Sequence, residues 1–154
     1  MATLDELIEK VKHAGHTVEF YGPQNEAKIN VLASALGAEL PPSFREFLRT
    51  YGGGGIVGEW ISGIYRGQPL LKNEGSVLGD TLRWRERSHL PTELVVVYTQ
   101  DDEICWCLDT TSKSKNGENP VVSFDFSTPH RTVKIADSFQ DFFKDYLEMH
   151  SQAM

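Results

Sequence analysis

The sequence has little cysteine, a deficit of cations and no long apolar run. Its two cysteines, Cys105 and Cys107, stand two apart. On a strand they share a face but lie too far apart for a relaxed disulfide, and a C-x-C pair alone is not a zinc site. The expectation is a reducing compartment and two small core residues. No apolar stretch reaches the roughly 18 residues of a membrane span. Residues 1–12 are charged and helix-patterned, which predicts neither a secretion signal nor a membrane segment and makes the cytoplasm the expected location. Fifteen Lys and Arg against 22 Asp and Glu leave a net charge of −7. That is the opposite of the basic footprint of a general nucleic-acid binder, and it suits solubility or a basic protein partner.

Catalytic signatures are missing as well. The histidines are His13, His16, His89, His130 and His150. None stands in H-x-x-x-H or H-E-x-x-H spacing, and no serine sits in G-x-S-x-G. Neither cysteine has a sequence neighbour that would lower its pKa. No catalytic residue, metal or cofactor is assigned, and the protein is expected not to be an enzyme. Gly53, Gly55 and Gly58 do spell G-x-G-x-x-G. That fingerprint works only after a strand and before a helix, where amides and helix dipole meet a pyrophosphate. Here the glycines follow a helical pattern and lead into a strand-like one, which predicts a structural hinge. Repeats, low-complexity tracts and linkers are also absent, so one domain over 1–150 is expected, with residues 151–154 fraying.

What is present is organised around residues 40–58, LPPSFREFLRTYGGGGIVG. Pro41 and Pro42 fix a helix entry, where a missing N–H costs nothing. Phe44, Phe47, Leu48 and Tyr51 recur at i, i+3, i+4 and i+7, one face of a helix, while Arg45, Glu46 and Arg49 fall off that stripe. Gly52 sits where a left-handed residue ends the helix.

Before it, Thr3 and Glu6 form a capping box for a helix carrying Leu4, Leu7, Ile8 and Val11, with Gly15 as its stop. Residues 16–21 read as a short edge strand. Asn25 caps a second helix with Ile29, Leu32, Ala33 and Leu36 as its stripe and Gly37 as its end. After it, 56–60 and 61–65 read as two broken strands bent at Gly58 and Gly63. A helix follows from Ser76 or Asp80 to Ser88, with Arg83, Arg85 and Arg87 on a solvated face. The β-branched run 94–98, then 104–108, 121–126 and 131–135, are strands; Ser127, Thr128 and Pro129 join the last two. On 104–108 the cysteines take one face and Ile104, Trp106 and Leu108 the other. Asp137, with Gln140 three residues on, caps a last helix bearing Phe139, Phe142, Phe143, Tyr146 and Leu147. The connections between strands are too short for parallel crossovers, so the fold class is α+β with a mainly antiparallel sheet.

Two features invite function. Asp101, Asp102 and Glu103 crowd a turn, near Asp109 and Asp125 at strand ends. Converging carboxylates would hold a divalent cation or act as acid and base; a solvated turn or a docking surface for a basic protein are the other readings. Among the large aromatics, Trp60 and Tyr65, flanked by glycines, are the candidates for exposure and for interface contact.

Four blocks in order carry a family resemblance: 40–58, LVVVYTQDDEICWCLDT at 94–110, GENPVVSFDF at 117–126 and ADSFQDFFKDYL at 136–147. Together they resemble the SUKH superfamily, shared by yeast cell-wall-synthesis regulators and many bacterial immunity proteins, and are most similar in order to the YobK-like members. The resemblance implies an α+β fold, no catalytic residues, and a cytoplasmic antidote to a polymorphic toxin, often a nuclease encoded beside it. Its signature residues here are structural: Leu40, Pro41, Phe47, Tyr51, Gly52, Gly53, Cys107, Leu108, Asp109, Asp137, Ser138 and Phe139. Members of this kind can end in a long acidic tail; this sequence ends at Met154 without one. Eukaryotic members act instead in signalling and cell-wall regulation, which makes a regulatory adaptor the alternative. The partner-binding residues expected are Glu59, Trp60, Tyr65, Glu74, Asp101, Asp102 and Glu103. The resemblance implies a toxin domain as partner; no direct nucleic acid and no membrane are expected, and the protein is expected to be a monomer or weak homodimer.

Overall fold

Thr3 starts the first helix: its Oγ1 accepts the Glu6 amide at 3.1 Å. The computed structural model describes residues 2–128 and 131–152, so His130, Pro129 in the expected turn, and residues 153–154 of the expected fraying tail lie outside the described residues. Helix α1 covers Leu4–His13 and buries Leu7, Ile8 and Val11. Its C-cap is Ala14 rather than Gly15, which follows with a positive φ. Strand β1 (Val18–Phe20) leads to α2 (Glu26–Leu36), capped by Asn25 and stopped by left-handed Gly37. Helix α3 is Pro42–Thr50. Its Pro41 N-cap has no side-chain acceptor to offer, and Glu118 supplies one from far along the chain. The Glu118 carboxylate takes the Ser43 amide at 3.0 Å and the Ser43 hydroxyl at 2.7 Å, which places an anion at a helix N-terminus where it is favoured.

The glycine run departs from the expected pair of broken strands. Strand β2 is Gly54–Ile56, made largely of glycine, and pairs antiparallel with β1. Residues 57–60 are not a strand but the turn that follows it. The chain returns through single bridges, Ile61 facing both Gly54 and Tyr98. The reason is close approach. A Cβ on Gly52 would stand 1.9 Å from the Gly22 carbonyl oxygen, and one on Gly63 would stand 2.0 Å from that of Gly52. Backbones pack here at a distance that a side chain forbids.

Helix α4 (Val77–Ser88) begins at Ser76, whose Oγ accepts the Gly79 amide at 3.0 Å. A four-stranded antiparallel meander follows: β3 (Leu94–Thr99), β4 (Ile104–Asp109), β5 (Val121–Asp125) and β6 (Thr132–Ala136), hydrogen-bonded in that order. The α+β class with an antiparallel sheet is thus the observed fold. Helix α5 (Phe139–His150) ends it. Ser138, not Asp137, is its N-cap, accepting the Asp141 amide at 3.1 Å. Asp137 stands one residue too early and pairs with Lys134 at 2.5 Å on the surface.

The meander is covered on both faces. Val95, Val97 and Leu108 enter the main core with α1, α2, α3 and α5. Leu94, Val96, Cys105, Cys107, Val122 and Phe124 form a second core under Trp84 of α4. This places the two cysteines beneath a helix, and it explains why 94–97 is β-branched or apolar without alternation. The register of β3 slips between Val96 and Tyr98. β3 is an edge strand, and neighbours take up backbone groups there: Thr81 Oγ1 accepts the Val96 amide at 3.0 Å, and the Val97 carbonyl accepts the Ser62 amide at 2.8 Å. These bonds join α4 and the glycine turn to the sheet edge.

Candidate functional site

A groove of about 1060 Å³ opens where the glycine turn, the start of α4 and the end of β3 meet. Its floor is built on one buried carboxylate. Asp80, in the first turn of α4, is 4% exposed. Its Oδ2 accepts the Ser62 hydroxyl at 2.6 Å, and its Oδ1 accepts the Gly75 amide at 3.3 Å and pairs with Arg83. Burial raises the Asp80 pKa above the usual carboxylate value, opposed by the Ser62, Arg83 and Gly75 interactions. Arg83 is thereby half-buried, and Arg85 is too, its guanidinium donating to the Thr92 carbonyl at 2.8 Å. The expected solvated arginine face is reduced to Arg87, because α4 lies flat on the sheet and turns its other arginines along its flanks.

One wall is aromatic. Tyr21 stacks on Trp60 at 6.5 Å and meets the edge of Tyr65 at 5.1 Å. Its hydroxyl donates to the Gly75 carbonyl at 3.2 Å, and burial first, then the Asp80 charge, pushes its pKa up to about 12. Trp60 is 37% exposed and Tyr65 half-buried. Arg66 follows in a left-handed conformation (φ 55°) and lays its guanidinium 5.2 Å from the Tyr65 ring centre, within cation–π range.

The other wall is Glu59 with Tyr98. The Tyr98 hydroxyl donates to the Glu59 carboxylate, and burial together with that carboxylate raises the Tyr98 pKa. The Glu59 carbonyl accepts the Tyr146 hydroxyl at 2.6 Å. Both ends of Glu59 are thus held, one by the sheet and one by α5. With Asp80 and Arg83 offsetting each other, the groove keeps Glu19, Glu59, Glu74, Asp101 and Asp102 against Arg66 and Arg87. The site is a concave, acidic, aromatic-walled surface.

Six of the seven expected partner-binding residues line this one groove: Glu59, Trp60, Tyr65, Glu74, Asp101 and Asp102. Glu103 does not. Its amide donates to Asp101 Oδ1 at 2.8 Å, and its carbonyl accepts the Phe126 amide at 2.7 Å, which places it beside the end of β5. Asp109 and Asp125 do not converge on the acidic turn either. Each accepts from its own loop, Asp109 from Thr111 and Asp125 from Ser127. The Ser127 bonds hold the Asp125 pKa low. Among the described residues no three His, Cys, Asp or Glu side chains form a metal-binding group.

Tyr21, Arg66 and Asp80 belong to the groove and were not singled out from the sequence. The only local signal was an Asp three residues before Arg83 just inside a Ser-capped helix; nothing near Tyr21 in sequence points to Gly75. Several of the signature residues are core residues that do not line the groove. Phe47 packs against Phe139, Phe143 and Tyr51 at 4.9, 5.0 and 5.8 Å, Leu40 and Pro41 are buried at the α3 entry, and Cys107 and Leu108 face the two cores. No helix among the described residues is long and apolar enough to cross a membrane. The family model SUKH_5, described as SMI1-KNR4 cell-wall, matches residues 4–148, and the chain belongs to that family.

Proposed function

We propose that this protein is an immunity protein. It binds one cognate toxin domain stoichiometrically, without catalysis, in the cytoplasm, and covers the toxin's active site or substrate groove. The observation that carries this reading is the groove itself. Segments distant in sequence converge on an exposed tryptophan within a rim of carboxylates, and a buried hydrogen bond to Asp80 with part-buried ones from Tyr98 and Tyr146 holds them. A desolvated aromatic within a charged rim is the anatomy of a tight interface. A nuclease presents a basic surface to its nucleic acid, and an acidic groove complements it and speeds encounter. Membership of a family described by cell-wall proteins favours a second reading, a regulatory adaptor using the same groove.

The test is growth rescue. The toxin domain encoded nearest this gene is expressed with and without the protein, and the pair is analysed for a one-to-one complex. Rescue with a stable complex supports immunity. Lack of rescue from a toxin lethal by itself moves the function to the adaptor reading.

A further inference from the structure

We infer that the groove receives an arginine side chain of the protein partner, seated on the Tyr21–Trp60–Tyr65 wall against Glu59, Glu74 and Asp102, and that Arg66 is its built-in counterpart. The inference rests on the protein-binding reading above and names what the partner must present.

Three observations converge. The wall consists of ring faces and edges at the mouth of a groove, with Trp60 exposed and Tyr21 behind it. An indole face is the best aromatic surface for a cation. The carboxylates that line the same groove outnumber the cations once Asp80 and Arg83 are set against each other. Finally, the chain already places a guanidinium on this wall. Arg66 lies over Tyr65, and it does so from a left-handed backbone that a long side chain rarely adopts. A planar guanidinium can stack on a ring and bond a carboxylate edge-on at the same time, whereas an ammonium offers a strongly hydrated point charge. The geometry therefore selects arginine over lysine. Arg66 occupies part of the wall when the partner is absent and limits affinity for weakly matched cations.

The experiment uses the full chain, labelled with ¹⁵N, titrated with an arginine octapeptide and a lysine octapeptide of equal charge. The Trp60 indole N–H and the amides of residues 58–66 should shift, with the arginine peptide bound roughly threefold or more tighter than the lysine peptide. Trp60→Ala and Glu74→Gln should each weaken the arginine peptide by a similar factor; Glu74 is exposed, so its variant keeps the fold. Asp145→Asn, an exposed acid on α5 outside the groove, should leave affinity unchanged. Arg66→Ala should tighten it. Equal affinity for the two peptides, shifts spread over the whole acidic surface, or weaker binding by Arg66→Ala would overturn the inference. A toxin complex whose affinity is untouched by Trp60→Ala and Glu74→Gln would also overturn it and leave immunity standing. Arginine-selective binding in the groove without neutralisation of any toxin would sink the immunity reading and leave this one standing.

Discussion

The hydroxyl of Tyr146 accepts a hydrogen bond from the buried amide of Ile56 at 2.8 Å and donates one to the Glu59 carbonyl at 2.6 Å. One phenol on α5 thus closes the end of a strand that has almost no side chains of its own. Tyr146→Phe keeps the ring and removes both bonds, leaving a buried N–H unpaired. It should cost about 1–3 kcal/mol, read as a lower urea midpoint at unchanged slope. A midpoint equal to wild type would mean the strand finds another acceptor.

The glycines divide into those that need space and those that need conformation. Gly63→Ala puts a methyl group 2.0 Å from the Gly52 oxygen. Backbone cannot yield there as a side chain would, so a loss of about 3 kcal/mol or more is expected. At Gly58 a Cβ meets nothing within 4 Å and only the positive φ is strained. Gly58→Ala should therefore cost about 1 kcal/mol. Thermal melts of the two variants should fall in that order; the reverse order would refute the close-packing account.

The helix starts at Thr3 and Asn25 and the stripes of α1, α2, α3 and α5 were legible because caps and 3.6-residue periods are local. The helix cap at Ser138 was missed by one residue because Asp137 is an equally good cap by type; only the backbone conformation chooses between them. Strand β2 was illegible for a different reason. Glycine is disfavoured in strands; Gly54 and Gly55 take positive φ here, and β1 and Tyr146 hold Gly54–Ile56 in the pairing. The cysteine face stayed open because alternation shows two faces and not what covers them. Of the groove, the exposed Trp60 and the acidic turn were legible. Its floor was not, since Asp80, Ser62 and Tyr21 meet only through tertiary contacts.

Tyr21 and Asp80 give the groove a pH dependence of one sign. Both have folded pKa values above their ordinary ones, so each contributes stability fully present below its unfolded value and lost as pH rises through its folded one. For Tyr21 the window runs from the ordinary value of 10.0 up to about 12. Stability should decline across that range as the buried phenol acquires a charge beside Asp80. Tyr21→Phe should be less stable at neutral pH and show a shallower decline above pH 10.0. For Asp80 the decline starts near 3.8 and runs upward, so Asp80→Asn should gain on wild type as pH rises from there. Parallel curves for a variant and wild type would contradict the assignment.

The two thiols should report the opening of the second core. Cys105 and Cys107 are fully buried under Trp84 and Phe124, their sulfurs 3.5 Å apart. Burial, with the neighbouring Cys105, pushes the Cys107 thiol well above its ordinary value, so little thiolate exists at neutral pH. An aromatic disulfide reagent should leave both cysteines untouched in the native protein and titrate both in urea. Because β4 sits in the middle of the sheet and cannot open alone, the native labelling rate should scale with the global unfolding equilibrium. Destabilising variants far from the thiols, such as Tyr146→Phe, should then speed labelling by the factor that their loss of stability dictates. A rate indifferent to Tyr146→Phe would mean that α4 lifts from the sheet by itself, exposing the second core while the groove's α5 support stays in place.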